Sequence, residues 1–71
     1  MGEPSLSERY EIVIRGHIDK RWQEWFSGMD FVYQPEGTTK LVGSVPDQTS
    51  LHAMLARVRD LGIQLISVNR L

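Results

Sequence analysis

The sequence has no cysteine. Disulfides and thiolate metal ligation are therefore excluded, along with the staples that hold many small secreted domains together. It has only two histidines, His17 and His52, on separate segments and without metal-ligand spacing. It also lacks an excess of charge: eight Lys and Arg stand against nine Asp and Glu, for a net charge of −1. No overall basic field draws the chain to nucleic acid or to an anionic membrane. No apolar run approaches the roughly 20 residues that span a bilayer. The opening MGEPSLSER has no apolar signal-peptide core. A cytoplasmic protein without membrane contact is the expectation. Ser44, Ser50 and Ser67 lack a nucleophile-elbow context, and neither a phosphate loop nor a dinucleotide fingerprint is present. The chain is accordingly read as a non-enzyme with no catalytic residue, no metal and no cofactor.

What is present fits one domain. The tail over residues 1–8 has the composition of a disordered, solvated terminus, and residues 9–71 form a single α+β unit. A chain of 71 residues buries only about 60% of the surface its unfolded form exposes. With disulfides and metals excluded, compact packing or a second copy must supply the remaining stability.

The clearest unit runs from Gly37 to Asn69. A strand over Thr38–Val45 leads to Pro46 and to Asp47, placed as a helix N-cap. Leu51, Met54, Leu55, Val58 and Leu61 then recur at helical spacing over about Gln48–Leu61, with Arg57, Asp60, Ala53 and Ala56 on the opposite, wet side. Gly62 marks the stop. A strand over Ile63–Asn69 follows, in which Leu65 points one way while Ile66 shares its face with Val68 and Arg70.

Upstream, Tyr10–Ile18 alternates as a strand, with Tyr10, Ile12, Ile14, Gly16 and Ile18 on the more apolar face. Asp19 can cap a short helix over Lys20–Ser27, with Trp22, Trp25 and Phe26 turned inward. Each large aromatic buries about 150–250 Å², so these rings read as core rather than as a ligand box. A strand over Phe31–Gln34 and the turn Gln34-Pro35-Glu36-Gly37 complete a hairpin with the next strand.

The order β-α-β-β-α-β implies a ferredoxin-like two-layer sandwich, a four-stranded antiparallel sheet in strand order 4-1-3-2 with both helices on one face. The other face is then open. The alternation assigns Val13, Val32, Val42, Ile66 and Val68 to it, beside Arg15, His17, Lys40, Gln34 and Arg70. β-Branched residues are good strand formers in themselves. Even so, about half of this face is apolar, more than a solvated sheet face requires. These five residues are the interface candidates, and a homodimer is the expected assembly, with an unidentified protein partner as the other occupant.

A second reading uses the basic part of the face and the turn Gly16–Trp22, where backbone N–H groups could hold an anion. Its ligand-binding candidates are Arg15, His17, Lys40 and Arg21. It would serve a small molecule or an RNA. Against nucleic acid, the central strands offer valines where stacking aromatics would be needed, and Phe31 and Tyr33 fall on the other face.

The patterns RGHIDxRWxxWF and GTTxLxGxVxDQxxLHxxLxxVRDLGxxLxSV, spanning Tyr10 to Val68, resemble a family of very short uncharacterised prokaryotic proteins. The resemblance implies no activity and transfers no functional residue. The expected topology also looks like that of small amino-acid-sensing ACT modules, an analogy of fold alone.

Overall fold

The computed structural model describes residues 8–26 and 28–71. In chain order it forms strand β1 (Glu8–Arg15), a 3-10 helix (Lys20–Phe26), β2 (Asp30–Tyr33), β3 (Thr38–Val45), helix α1 (Gln48–Asp60) and β4 (Leu65–Arg70). The architecture is α+β. Four strands make one open sheet in the order β2-β3-β1-β4, every neighbouring pair antiparallel. No helix among the described residues is long and apolar enough to cross a membrane.

The alternation in β1 has the expected consequence. Tyr10, Ile12 and Ile14 are buried, while Glu11 and Val13 between them are half-buried on the other face. Register carries this face across the sheet, because directly opposed residues share a side. Ile12 pairs with Leu41 and Ile14 with Thr39, and Phe31 pairs with Leu41 from the other flank. Leu41 and Thr39 are fully buried, and Val45 nearly so. Phe26 from the 3-10 helix and Leu51, Met54 and Val58 from α1 enter the same cluster. Gly43 in β3 is part of this packing: a Cβ there would lie 3.1 Å from Met29 Cγ and 3.3 Å from Met29 Cα, so Met29 occupies the space a side chain would need.

The hairpin turn closes through Gly37 N–H to the Gln34 carbonyl at 3.1 Å and Gln34 N–H to the Thr38 carbonyl at 2.8 Å. Helix α1 begins at Asp47, which has extended backbone angles and whose carboxylate accepts from Ser50 N–H at 2.7 Å. That bond, with a second from the Ser50 hydroxyl, holds the Asp47 carboxyl below its ordinary value. The helix ends in a Schellman arrangement. Gly62 N–H bonds the Arg59 carbonyl and Ile63 N–H bonds that of Val58, with Gly62 at φ +74°. A residue other than glycine is strained at that angle.

Five expectations need correction. The strand expected over Tyr10–Ile18 ends at Arg15, because Gly16 turns away and donates to the Gly37 carbonyl at 2.6 Å. Of the tail expected over 1–8, Glu8 belongs to β1, opposite Val45, and the rest lies outside the described residues, as does Ser27.

The first helix is a 3-10 helix and not an α-helix. Trp22 N–H bonds the Asp19 carbonyl three residues back, while the Asp19 carboxylate accepts from Arg21 N–H at 2.9 Å. Three residues per turn align Trp22 with Trp25, whose ring centroids lie 5.0 Å apart. Phe26 alone is then turned fully inward, and both tryptophans stay half-buried against the cluster.

Helix α1 does not leave Arg57 on a wet face. Arg57 is half-buried against Trp25.

The last correction concerns β4. Val68 pairs with Ile12 and packs against the core, and Arg70 pairs with Tyr10 on the same side of the sheet, so neither is on the open face. The cause is a register shift: Val13 pairs with Ser67, but Ile14 pairs with Leu65, which leaves Ile66 as the extra residue of a bulge. An uninterrupted alternation would have kept Ile66 and Val68 together. Leu65 shares a pair with Ile14 yet stays 41% exposed, since the helical elements rest nearest β2 and β3 and cover the β4 edge thinly.

Candidate protein-interaction face

The open face is built by the odd positions of β1 and their partners. Val13 stands between Lys40 of β3 and Ser67 of β4, and Lys40 stands beside Val32 of β2. One step along the strands, Glu11 stands between Val42 and Asn69, and Val42 beside Asp30. Arg15 opposes Thr38 at one end of the face, and Arg9 opposes Ser44 at the other. Val13, Val32 and Val42 are therefore neighbours across three strands. Val32 is 44% exposed, and Val13 and Val42 are half-covered by what stands around them.

The main charge contact of the face is Lys40 Nζ to Glu11 Oε2 at 3.1 Å. Lys40 belongs to the row of Val13 and Glu11 to the row of Val42, so the ion pair crosses the valine pair diagonally. The aliphatic stem of Lys40 can lie along the valine methyls while its ammonium stays wet. As a half-buried pair at the surface it contributes modestly to stability. Its effect is to fix where the charges stand on an otherwise apolar centre.

Three of the five interface candidates, Val13, Val32 and Val42, are thus brought together. Ile66 lies in the β4 bulge at the sheet edge, 46% exposed, and Val68 belongs to the core side.

The ligand-binding candidates do not form one site. Lys40 is paired with Glu11, and Arg15 Nε donates to Gln64 Oε1 at 2.9 Å. His17 lies beyond the strand, its Nε2 3.0 Å from the Gln34 carbonyl and its ring edge-on to Tyr33 at 5.1 Å. Arg21 lies on the 3-10 helix, with Nε 3.9 Å from Asp19 Oδ2 and its guanidinium 6.0 Å from the Trp22 ring centre. Each of the four side chains is engaged by its own neighbour. The turn Gly16–Trp22 is likewise tied down. The Gly16 carbonyl accepts from Thr39 Oγ1 and the Ile18 carbonyl from the Tyr33 hydroxyl, both at 2.6 Å.

Two features had no clear signal in the sequence. Arg57 donates to the Trp25 carbonyl and lies 5.9 Å from the Trp25 ring centre, which ties α1 to the 3-10 helix. An open cleft of about 250 Å³ lies where β1 and β3 meet the start of α1, lined by Glu8, Tyr10, Val45, Pro46, Asp47 and Gln48. Its polar groups are internally engaged: Gln48 Nε2 donates to the Tyr10 hydroxyl at 3.2 Å and Asp47 caps the helix. Among the described residues, no group of three or more His, Asp or Glu is placed to hold a metal ion.

Comparison with curated proteins and with solved structures gave no match. A family model described as a domain of unknown function (DUF8691) matches residues 9–69, nearly the whole described chain, and the protein belongs to that family.

Proposed function

We propose that this chain is a small non-enzymatic interaction module of the cytoplasm that self-associates as a homodimer through the open face of its sheet. The observation that carries the reading is the set Val13, Val32 and Val42, with Val13 and Val32 on either side of Lys40 and Val42 diagonal to both, on the sheet face opposite Ile12 and Leu41. A solvated antiparallel face alternates to polar residues, whereas the centre of this one is half valine, with Val13 and Val42 set between Lys40 and Glu11. Burying such a face removes methyl groups from water at about 25 cal/mol per Å². That is a useful increment for a domain of this size.

A second copy suits the face better than a strongly charged partner. Arg9, Arg15 and Lys40 stand there against Glu11 and Asp30, so the face carries both signs in near balance. A strong field of one sign would call for an oppositely charged partner, whereas a mixed face can meet its own copy.

The fold that presents this face is read as ferredoxin-like, with the 3-10 helix and α1 on the same side of the sheet. The strand order and the shared burial of Phe26 and Met54 with Ile12 support that reading.

The test is sedimentation equilibrium of the wild type and of Val32→Asp and Val42→Asp. Both variants place a carboxylate on the open face and away from the core. The expected result is a dimer that becomes monomer in each variant, with unchanged circular dichroism. Folded variants that assemble as the wild type does would exclude the open face as the interface.

A further inference from the structure

We infer that the two copies stack about a two-fold axis running along the Val13–Val42 diagonal, so that Lys40 of each copy lies over Glu11 of the partner subunit. This rests on the self-association proposed above and specifies its geometry.

The argument starts from register. Val13 opposes Lys40 and Val42 opposes Glu11 on the adjacent strands β1 and β3. Neighbouring strands are about 4.8 Å apart, and same-face residues along a strand are about 6.8 Å apart. The four side chains therefore mark the corners of a small block. The valines occupy one diagonal, and the charges occupy the other, joined at 3.1 Å.

Two identical faces that stack are related by an axis lying between them and parallel to both, which exchanges positions across itself. An axis along the charge diagonal sets Lys40 over Lys40 and Glu11 over Glu11. An axis along the strands, or at right angles to them in the interface plane, sets each charge over a valine. The valine diagonal alone sets Val13 over Val13, Val42 over Val42, and Lys40 over Glu11 twice. The four central charges then form a ring of alternating sign, in which each lies between two opposite charges.

The surroundings agree with this choice. The same axis sets Arg15 nearest Ser67 and Asp30 nearest Ser44, and no like charges meet. The strands of the two sheets cross at roughly 70°, nearer the orthogonal class of sheet packing than the aligned one.

The experiment uses the full chain with Lys40→Glu, Glu11→Lys, their equimolar mixture and the double variant, each followed by sedimentation with circular dichroism as the fold control. The wild type dimerises. Each single reversal weakens the dimer by at least about tenfold, because like charges are set over each other twice. The mixture recovers a heterodimer although each chain still lacks its internal ion pair, and the double variant recovers the homodimer.

A wild-type dimer whose dissociation constant is unmoved by the single reversals overturns the diagonal and leaves self-association standing. A wild type that stays monomeric overturns both, whether or not added single-stranded RNA changes its sedimentation.

Discussion

Arg57 joins the two helical elements through Trp25: its guanidinium donates to the Trp25 carbonyl oxygen and lies 5.9 Å from the centre of the Trp25 ring. The 3-10 helix has poorer hydrogen-bond geometry than an α-helix and is too short to be stable alone. Its place is fixed by Phe26 below and by Arg57 from the side. Replacing Arg57 with alanine removes a charged hydrogen bond and a half-buried stem. The expected cost is about 1.5–3 kcal/mol in chemical denaturation. Lysine should recover only part of it, since it cannot reproduce the planar stacking. A cost below about 0.5 kcal/mol for the alanine variant would mean that the link is incidental.

Phe26 is the ring about which the aromatic row is arranged, 5.9 Å from Trp25 and 6.1 Å from Phe31. Truncation to alanine leaves a cavity in a core with little to spare and should cost about 3–5 kcal/mol. Trp22, half-buried at the outer end of the row, should cost clearly less on the same change. Equal losses at the two positions would contradict the inward assignment of Phe26.

Asp47 ties helix stability to pH. Its folded pKa is depressed by the Ser50 N–H and hydroxyl bonds. The sign follows: the stabilisation is present above the unfolded carboxylate pKa, near 3.8, and is lost as pH falls through the still lower folded value. Asp47→Asn keeps a capping oxygen and should flatten this acid limb, while Asp47→Ala should lower Tm by a few degrees at pH 7. Melting curves from pH 2 to 7 on the three proteins measure it, and an Asn variant with an unchanged acid limb would assign the limb to other carboxylates.

Val68 and Val42 should respond differently to aspartate. Val68 is paired with Ile12 and packed on the core, so a carboxylate there is set against buried aliphatic carbon and the fold should be lost or weakened by several kcal/mol. Val42→Asp should keep its fold. A folded Val68→Asp variant with altered assembly would return that residue to the open face.

The contrast between these two valines also marks how far the sequence could be read. Residues at Asp47, Leu51, Met54, Val58 and Gly62 announced α1 because cap, stripe and stop each depend on local chemistry. The parity of β1 was legible for the same reason, since one strand carries its own alternation. Val68 was misplaced because the β4 bulge breaks parity without a local mark, neither glycine nor proline being present there. The 3-10 helix and an α-helix share i and i+3 spacing, so Trp22 and Trp25 could not separate them. Arg57 looked solvated because its partner, Trp25, is 32 residues away. Within the candidate site, Val13, Val32 and Val42 could be grouped from alternation alone. The diagonal placement of Lys40 against Glu11 required the register between β1 and β3.

The most direct measurement is the solution mass of the wild-type chain by light scattering over a dilution series from about 1 mM to 1 μM, the range in which modest interfaces dissociate. Self-association through the open face predicts twice the 8.2 kDa chain mass at the concentrated end, falling to the single-chain value on dilution. A mass of 8.2 kDa at every concentration would contradict it.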